Sequence, residues 1–355
     1  MTDPVWAIGL MSGTSGDGID AALLKTDGER IVETGPGIGQ AYDPAFRARL
    51  KSAYGHWDPP AGLERALTER HAELVLRLIA QVGMKPRDLG VIGFHGQTIL
   101  HEPERHRTRQ IGDGALLAKL TGVPVVNDFR SADMAAGGEG APFAPVYHRA
   151  LAGGLEKPVA MLNIGGVSNV TWIGDGDALI AFDTGPGNAL IDDWALRHTG
   201  EPIDRDGALA RSGRVDEAAV ARFLENPYFN RSAPKSLDRD AFKGFSLNDV
   251  GAADGAATLT AITVASIAAS VAQLPLPPKR WLVCGGGRHN PVLMSALRAR
   301  LGTVDPIEAI GWDGDLIEAQ AFAFMAVRAL NGLPLSFPGT TGVKQPTPGG
   351  VVHRA

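Results

Sequence analysis

Two segments of this chain share one design: an apolar strand-like run, a glycine-rich turn and a second apolar run. The first joins VWAIGL to IDAALLKT through SGTSGDG, and the second is VAMLNIGGVSNVTWIG. Apolar runs on either side of a short glycine-rich turn predict β-hairpins. Two such hairpins suggest a duplicated, two-lobed architecture, although the residue identity between them is too low to establish a repeat.

The remaining pattern alternates strand-like and helix-like segments. We expect an amphipathic helix over residues 60–82, and a buried strand LGVIGF that runs into a loop HGQT. Later, the strand RWLVC precedes a helix that begins near Pro291, and another helix covers residues 314–331. This alternation predicts an α/β class with mixed or parallel sheets covered by helices.

A chain of 355 residues exceeds the usual size of one core, so we expect two domains. We predict an N-terminal lobe over residues 1–130 and a C-terminal lobe over residues 131–337. The tail 338–355 is expected to run along the surface or to return to the first lobe. The glycine-rich segment after Ser131 is a candidate interdomain or ligand loop.

The composition excludes several classes of protein. A net charge of -5 without a long basic cluster argues against a nucleic-acid partner. The single cysteine, Cys284, excludes an intrachain disulfide or a cysteine zinc site, and we expect it to be a buried structural thiol in a cytoplasmic protein. The N-terminus does not resemble a signal peptide. The uncharged segment 255–278 carries an apolar stripe and many hydroxyl residues, so we expect a helix packed inside a domain and no membrane partner.

The tip of the first hairpin, residues 12–20, combines glycines, hydroxyl residues and the carboxylates Asp17 and Asp20. Glycines let backbone N–H groups approach phosphate oxygens, and a carboxylate could hold Mg²⁺. A tight turn that needs glycine for its dihedral angles explains the same residues, and the motif alone leaves both interpretations open. A strand follows this tip, whereas P-loop and Rossmann motifs require a helix.

Two further segments place chemistry at strand ends. Asp183 follows the strand-like ALIAF, beside a Gly-Pro-Gly turn and a helix that begins near Asn188. A carboxylate placed there is suited to general base catalysis, and capping the turn is the alternative. The segment CGGGRHN follows RWLV, and its three glycines would let a flat ligand lie against the backbone.

Several polar residues beside apolar runs could bind the hydroxyls and carboxylate of a sugar acid. Each of them is equally explained as a structural hydrogen-bonding residue. They are His95, Gln97, Thr98, Asp128, Arg130 and Glu318.

Taken together, the motifs resemble the anhydro-N-acetylmuramic acid kinase family. They are MSGTSGDGID, GFHGQT, QIGDGALLA, VVNDFR, AAGGEGAP, LNIGGVSNV, FDTGPGN and CGGGRHN, which occur in that family's order over residues 9–290. The resemblance implies a two-lobed, actin-like ATPase fold whose lobes, each a mixed sheet flanked by helices, close on Mg-ATP at a cleft through paired phosphate hairpins. It also implies a role in peptidoglycan recycling. The sequence leaves open whether the protein forms a homodimer.

The resemblance implies that ATP and water convert 1,6-anhydro-N-acetylmuramic acid into N-acetylmuramic acid 6-phosphate and ADP. By match to the family's motifs, Asp183 would be the base that activates water. From the residues themselves, Asp17 or Asp20 is the expected Mg²⁺ ligand, and the six polar residues named above are the expected sugar-binding set. The implied ATP-binding residues are Ser12, Gly13, Thr14, Ser15, Gly16, Asp17, Gly18, Asp20, Gly165, Gly166, Ser168, Asn169, Gly285, Gly286, Gly287 and Asn290.

One position departs from the family's pattern, because Gly16 stands where a larger apolar residue is common. We therefore expect a more flexible loop there. Two alternatives remain from the sequence: another sugar or acid kinase of the same superfamily, and a nucleotide-dependent chaperone or filament protein. The set of polar residues favours an enzyme.

Overall fold

The computed structural model describes residues 3–13 and 15–355. The strands are β1 Val5–Ser12, β2 Gly18–Thr26, β3 Ile31–Ala41, β4 Leu89–Glu102, β5 Arg107–Ile111, β6 Val125–Asn127, β7 Val159–Ile164, β8 Val167–Ile173, β9 Leu179–Pro186, β10 Arg280–Cys284, β11 Val304–Pro306 and β12 Val351–His353. The helices are α1 Pro44–Lys51, α2 Leu63–Gln81, α3 Gly114–Thr121, α4 Ser131–Ala135, α5 Pro145–Leu151, α6 Ala189–Thr199, α7 Ala208–Ser212, α8 Glu217–Leu224, α9 Ala252–Ser270, α10 Pro291–Leu301, α11 Ile317–Leu330 and α12 Pro338–Thr341.

The chain divides into two compact units, each with its own sheet and helices. Unit 1 contains Met1–Gly153 and Leu316–Ala355, and unit 2 contains Gly154–Asp315. The strand order is β12-β6-β4-β1-β2-β3 in unit 1, with β5 paired to β4, and β11-β10-β7-β8-β9 in unit 2. Both sheets mix parallel and antiparallel pairs. The predicted α/β class is therefore confirmed.

Both glycine-rich turns connect antiparallel neighbours, as the sequence predicts. Strand β1 pairs with β2, and β7 pairs with β8. The loop expected at HGQT is wrong, because those residues continue β4. There Gln97 pairs with Ile111 and Thr98 with Gln110 of β5. Cross-strand hydrogen bonds thus extend a strand that the apolar pattern alone would end at Phe94.

Helix α11 lies directly on the sheet of unit 1 at two neighbouring glycines. Gly9 of β1 and Gly93 of β4 are paired across the parallel strands. A Cβ on Gly9 would overlap the carbonyl oxygen of Ala319, and one on Gly93 would overlap that of Phe322. The absence of side chains at these two positions therefore lets the helix backbone meet the strands.

This contact explains why the boundary between the lobes differs from the expected one. Helix α11 belongs to unit 1, and α5 packs against it through a hydrogen bond of 2.8 Å from Tyr147 Oη to Gln320 Oε1. Residues 131–153 and 316–337 therefore lie in unit 1 and not in a C-terminal lobe. The tail contributes β12, which pairs with β6 of the same unit.

The uncharged segment expected inside a domain forms α9 in unit 2. By length and composition, Ala252–Gln273 could cross a membrane, but 67% of its most apolar 18-residue window is buried in the protein. Its three threonine hydroxyls are bonded internally, as Thr263 is to the carbonyl of Gly187 at 2.8 Å. Val264 and Ile267 pack in the core of the second sheet. The helix is thus a core element of its unit.

Unit 1 also buries a histidine to which the described residues 3–13 and 15–355 supply no ion pair. His71 of α2 is fully buried, its ring lies 4.8 Å from that of Phe94, and its Nδ1 lies 2.8 Å from the carbonyl of Leu67. Burial lowers the pKa of His71 to about 4, because the charged imidazolium loses its hydration. The folded state therefore prefers a neutral ring.

The glycine contact predicts a stability effect. Gly93→Ala should lower the free energy of unfolding by about 1–3 kcal/mol or more, because the added methyl group forces α11 away from β4. Gly153→Ala is the matched control, since nothing lies within 4 Å of a Cβ at that position. Urea titration measures both variants. Equal midpoints for Gly93→Ala and the wild type would contradict the proposed close packing.

The buried histidine predicts a dependence of stability on pH. The pKa of His71 is lower in the folded state than in the unfolded one, so the unfolded state binds more protons and stability falls as pH falls below about 6.5. Between pH 7.5 and pH 5, the wild type should lose about 2 kcal/mol more than His71→Leu does. Leu78→Ala, a core change without a titrating group, should keep the full loss. Urea titrations at both pH values test this, and an equal loss in His71→Leu would contradict it.

Candidate active site

Ser12, the last residue of β1, is joined to Gln97 of β4 in unit 1. Ser12 Oγ lies 2.6 Å from Gln97 Oε1 and 2.9 Å from Tyr42 Oη, and Gln97 Nε2 donates to the carbonyl of Gly13 at 2.9 Å. Both Ser12 and Gln97 are fully or almost fully buried. Their side chains therefore anchor the hairpin tip through hydrogen bonds inside the protein. The sequence instead predicts contacts to a ligand for both residues.

The tip itself is a turn closed by a hydrogen bond of 3.0 Å from the Gly16 N–H to the carbonyl of Gly13. Gly16 has a φ of 60°, which favours glycine, and a Cβ on Gly18 would crowd the carbonyl of Gln40. Ser15 Oγ donates to Asp17 Oδ1 at 2.7 Å on the exposed side. Gly13 alone among these glycines has neither a positive φ nor a close neighbour. Thr14 lies outside the described residues.

His95 and Arg130 form a second polar group in unit 1. Arg130 donates through Nη2 to His95 Nε2 at 3.0 Å and through Nη1 to the carbonyl of Gly140 at 2.6 Å, while His95 Nδ1 donates to the carbonyl of Gly96 at 2.8 Å. Burial and then the Arg130 charge lower the pKa of His95 well below its usual value, so the ring accepts from Arg130. Two residues of the predicted sugar-binding set are thus in contact. A bound carboxylate would compete with these partners for the Arg130 fork.

The other three residues of the expected sugar-binding set have different surroundings. Thr98 Oγ1 accepts from Gln110 Nε2 at 3.1 Å, between β4 and β5. Asp128 Oδ1 accepts from the hydroxyl of Ser131 at 2.5 Å at the start of α4. Glu318 is exposed in the first turn of α11. Thr98 and Asp128 therefore have structural partners, and Glu318 has an accessible carboxylate.

In unit 2, the tip of the second hairpin rests on the N-terminus of α6. The carbonyl of Gly165 accepts from the Asn188 N–H at 2.7 Å, and that of Gly166 accepts from the Gly187 N–H at 2.9 Å. Neither Gly165 nor Gly166 has a positive φ, and the nearest atom to a Cβ on either is at least 3.5 Å away. Space therefore remains beside both glycines.

The register of the second sheet places a row of polar residues beside Asp183. Asn163 of β7 is opposite Asn169 of β8, which is opposite Asp183 of β9. Residues directly opposite in neighbouring strands have side chains on the same face. Asn169 and Asp183 therefore share one face of the sheet. Ser168 points elsewhere, because its buried hydroxyl lies 2.5 Å from that of Thr184.

Asp183 is 8% exposed and is held by the segment around Lys235. Its N–H donates to the carbonyl of Lys235 at 3.0 Å, and its Oδ2 accepts from the Leu237 N–H at 2.7 Å. Its own carbonyl accepts from the hydroxyl of Tyr228. The carboxylate thus has a fixed orientation on β9, which is what a positioned base requires.

Of the three glycines after β10, only Gly286 is explained neither by a positive φ nor by close packing. Gly285 has a φ of 74°, and a Cβ on Gly287 would crowd Ile164, so the turn and its packing account for both. A Cβ on Gly286 would have its nearest neighbour at 3.7 Å, the amide nitrogen of Asn188. Asn188 also donates to the carbonyl of Ile164 at 3.1 Å, so Gly286 lies close to the second hairpin. Asn290 Oδ1 caps α10 by accepting from the Val292 N–H at 3.0 Å.

Sequence reasoning missed several residues that build this site. Lys235, Tyr228 and Asn163 surround or align with Asp183, and Arg288 holds the glycine loop with a hydrogen bond of 3.0 Å to the carbonyl of Gly285. Asn163 lies two residues before the first glycine of the second tip, a position that could have identified it. Lys235 and Tyr228 carry no such signal, because Asp183 is distant from them in sequence. Arg288 lies within the motif CGGGRHN, a position that could have identified it.

Across residues 3–13 and 15–355, no group of three or more histidine, cysteine or acidic residues could hold a metal ion by itself. Asp17 and Asp20 are both exposed. Mg²⁺ commonly binds to one or two carboxylates together with substrate phosphates and water, so either residue fits that kind of site.

The chain is similar to known proteins over nearly its whole length. The family model described as anhydro-N-acetylmuramic acid kinase matches residues 5–355. A protein of that description from Rhodospirillum rubrum is 60% identical, over 98% of this chain and 93% of its own. A second, from Paramagnetospirillum magneticum, is 56% identical, over 98% of this chain and 99% of its own.

A solved structure, component A of (R)-2-hydroxyglutaryl-CoA dehydratase from Acidaminococcus fermentans, aligns with a TM-score of 0.48 at 13% identity. It covers 91% of this chain and 98% of that one. The matches to the kinases define the class of protein, a phosphotransferase. The chain belongs to the anhydro-N-acetylmuramic acid kinase family.

Proposed function

We propose that the protein is an ATP-dependent kinase that opens 1,6-anhydro-N-acetylmuramic acid with water and phosphorylates it, giving N-acetylmuramic acid 6-phosphate and ADP. The observation that carries this proposal is the 60% identity over 98% of the chain to a protein named for that activity. We further propose that it acts in the cytoplasm, in the recycling of peptidoglycan fragments.

Asp183 is the proposed general base. Water attacks C1 of the sugar, the C1–O6 bond of the anhydro bridge breaks, and Asp183 takes the proton of the attacking water. The freed O6 receives the γ-phosphoryl group of ATP, and ADP leaves. The low exposure of Asp183 and the 2.7 Å hydrogen bond from Leu237 support this role, because a base must be held in one orientation.

Four glycines are the proposed approach points for ATP. Gly13, Gly165, Gly166 and Gly286 have no positive φ, and nothing lies nearer than 3.5 Å to a Cβ on any of them. Backbone conformation and packing therefore do not explain these glycines, whereas close approach of phosphate or ribose to the backbone does. Mg²⁺, bound at Asp17 or Asp20 together with the phosphates, would neutralise charge that develops during transfer.

For the sugar we propose His95, Arg130 and Glu318 as the principal contacts. Arg130 is suited to a carboxylate and Glu318 to sugar hydroxyls. Gln97, Thr98 and Asp128 complete the proposed set, and each also bonds a neighbouring residue in unit 1, as His95 and Arg130 do.

The test of the proposed activity is ADP release with and without 1,6-anhydro-N-acetylmuramic acid. We expect release to depend on that sugar. ATP turnover that is indifferent to the sugar would contradict the proposal and favour a chaperone or filament protein. Turnover with a different sugar alone would indicate another sugar kinase.

Gly13 gives a prediction for the nucleotide. Gly13→Val should fold normally, because the nearest atom to its Cβ is 3.5 Å away, but it should weaken ATP binding by blocking the backbone. Gly153→Val is the control, since its surroundings are equally open. Calorimetric titration with a non-hydrolysable ATP analogue measures both. Unchanged affinity in Gly13→Val would show that the tip of the first hairpin is a purely structural turn.

Asp183 gives a prediction for the chemical step. Asp183→Asn keeps the size of the side chain but removes the base, so sugar-dependent ADP release should fall about 10²–10⁴-fold. ATP affinity should stay close to that of the wild type. Ring opening and phosphorylation should be lost together, because O6 is tied up in the bridge until the bridge breaks. A variant that still phosphorylates the sugar at the normal rate would show that Asp183 has a different role.

A further inference from the structure

Asp183, Tyr228 and Lys235 form a closed triangle of hydrogen bonds. The Asp183 N–H donates to the carbonyl of Lys235 at 3.0 Å, Lys235 Nζ donates to the carbonyl of Tyr228 at 3.0 Å, and Tyr228 Oη donates to the carbonyl of Asp183. Each residue therefore donates to the backbone of the next. Loss of any one donor opens the triangle.

The donors of this triangle are buried. Tyr228 is 6% exposed and Lys235 is 2% exposed, and the Lys235 ammonium lies 4.4 Å from the centre of the Tyr228 ring. Within the described part of the chain Lys235 makes no ion pair. Burial lowers the pKa of Lys235 to about 8, which reflects the cost of keeping that charge from water. Its side chain therefore acts through the Tyr228 carbonyl and ring.

The same segment also reaches the carboxylate. Leu237, two residues beyond Lys235, donates its N–H to Asp183 Oδ2 at 2.7 Å. The backbone and the side chain of Asp183 are thus both attached to residues 235–237. A displacement of this segment moves the carboxylate with it.

We propose that Tyr228 and Lys235 are positioning residues that hold the Asp183 carboxylate in the orientation needed to activate water. The proposal rests on the role of Asp183 proposed above. A misplacement of a catalytic group by about 1 Å can cost on the order of 10²-fold in rate, so indirect contacts of this kind are large enough to measure.

The principal test is Tyr228→Phe. This change removes the hydroxyl and keeps the ring that packs on Phe229 and Phe242. We expect kcat for sugar-dependent ADP release to fall on the order of 10-fold, with KM for ATP within about twofold of the wild type. Lys235→Met should do the same by removing the second donor, and it keeps the test decisive if Tyr228→Phe does not fold.

A matched control removes the same group elsewhere. Tyr147 is fully buried and donates its hydroxyl to Gln320 Oε1 at 2.8 Å in unit 1. Tyr147→Phe should alter stability to a similar extent and leave kcat at the wild-type value. An equal fall of kcat in Tyr147→Phe would assign the effect to general loosening and overturn the proposal.

A double-mutant cycle separates positioning from structure. If Tyr228 acts through Asp183, adding Tyr228→Phe to Asp183→Asn should slow the residual rate by less than twofold. A further 10-fold loss in the double variant would overturn the positioning role. If Asp183→Asn reacts at the wild-type rate, the proposed role of Asp183 as general base is refuted instead. If Asp183→Asn is slow while Tyr228→Phe keeps the wild-type kcat, only the positioning role of Tyr228 and Lys235 is refuted.

Discussion

The close contact of α11 with β1 and β4 organises unit 1. Because Gly9 and Gly93 carry no side chains, the backbone of the helix meets the two strands directly. Ser12, the last residue of β1, and Gln97 of β4 bond each other through their side chains at 2.6 Å and hold Gly13. The helix thus fixes the strand pair, and the strand pair fixes the proposed phosphate turn. A segment remote in sequence supports the tip through two glycines.

In unit 2, strand register and loop contacts fix the position of Asp183 and of the second hairpin tip. The register aligns Asn169 with Asp183, and residues 235–237 hold Asp183 by its backbone and its carboxylate. The tip of the second hairpin is fixed by the N–H groups of Gly187, Asn188 and Ala189, where α6 begins. Those groups therefore satisfy the carbonyls of Gly165 and Gly166, and the open face of the glycines remains for a ligand.

The local pattern predicts much of this fold. Apolar runs around glycine-rich turns identify both hairpins, and the stripe of Val264 and Ile267 identifies α9 as a core helix. The end of β4 could not be predicted in this way, because β5 extends it through cross-strand hydrogen bonds. Nor could the boundary between the units, since it depends on the packing of α11 on distant strands.

For the site, residue type predicts position better than role. Asp183 follows the predicted strand ALIAF, although β9 continues past it to Pro186, and His95 and Arg130 are in contact. Ser12 and Asn290 instead use their oxygens inside the protein, as a strand anchor and a helix cap. A sequence records that a residue can donate or accept, whereas only the fold decides which partner it meets. Lys235 is invisible from the sequence for the same reason.

The central claim is that Asp183 activates a water molecule that attacks C1, and that O6 then receives the phosphoryl group. The most direct measurement is the reaction of the wild-type protein in ¹⁸O-labelled water, with mass spectrometry of the products. The account predicts the label on C1 of N-acetylmuramic acid 6-phosphate and none in its phosphate. Label in the phosphate, with unlabelled C1, would contradict it.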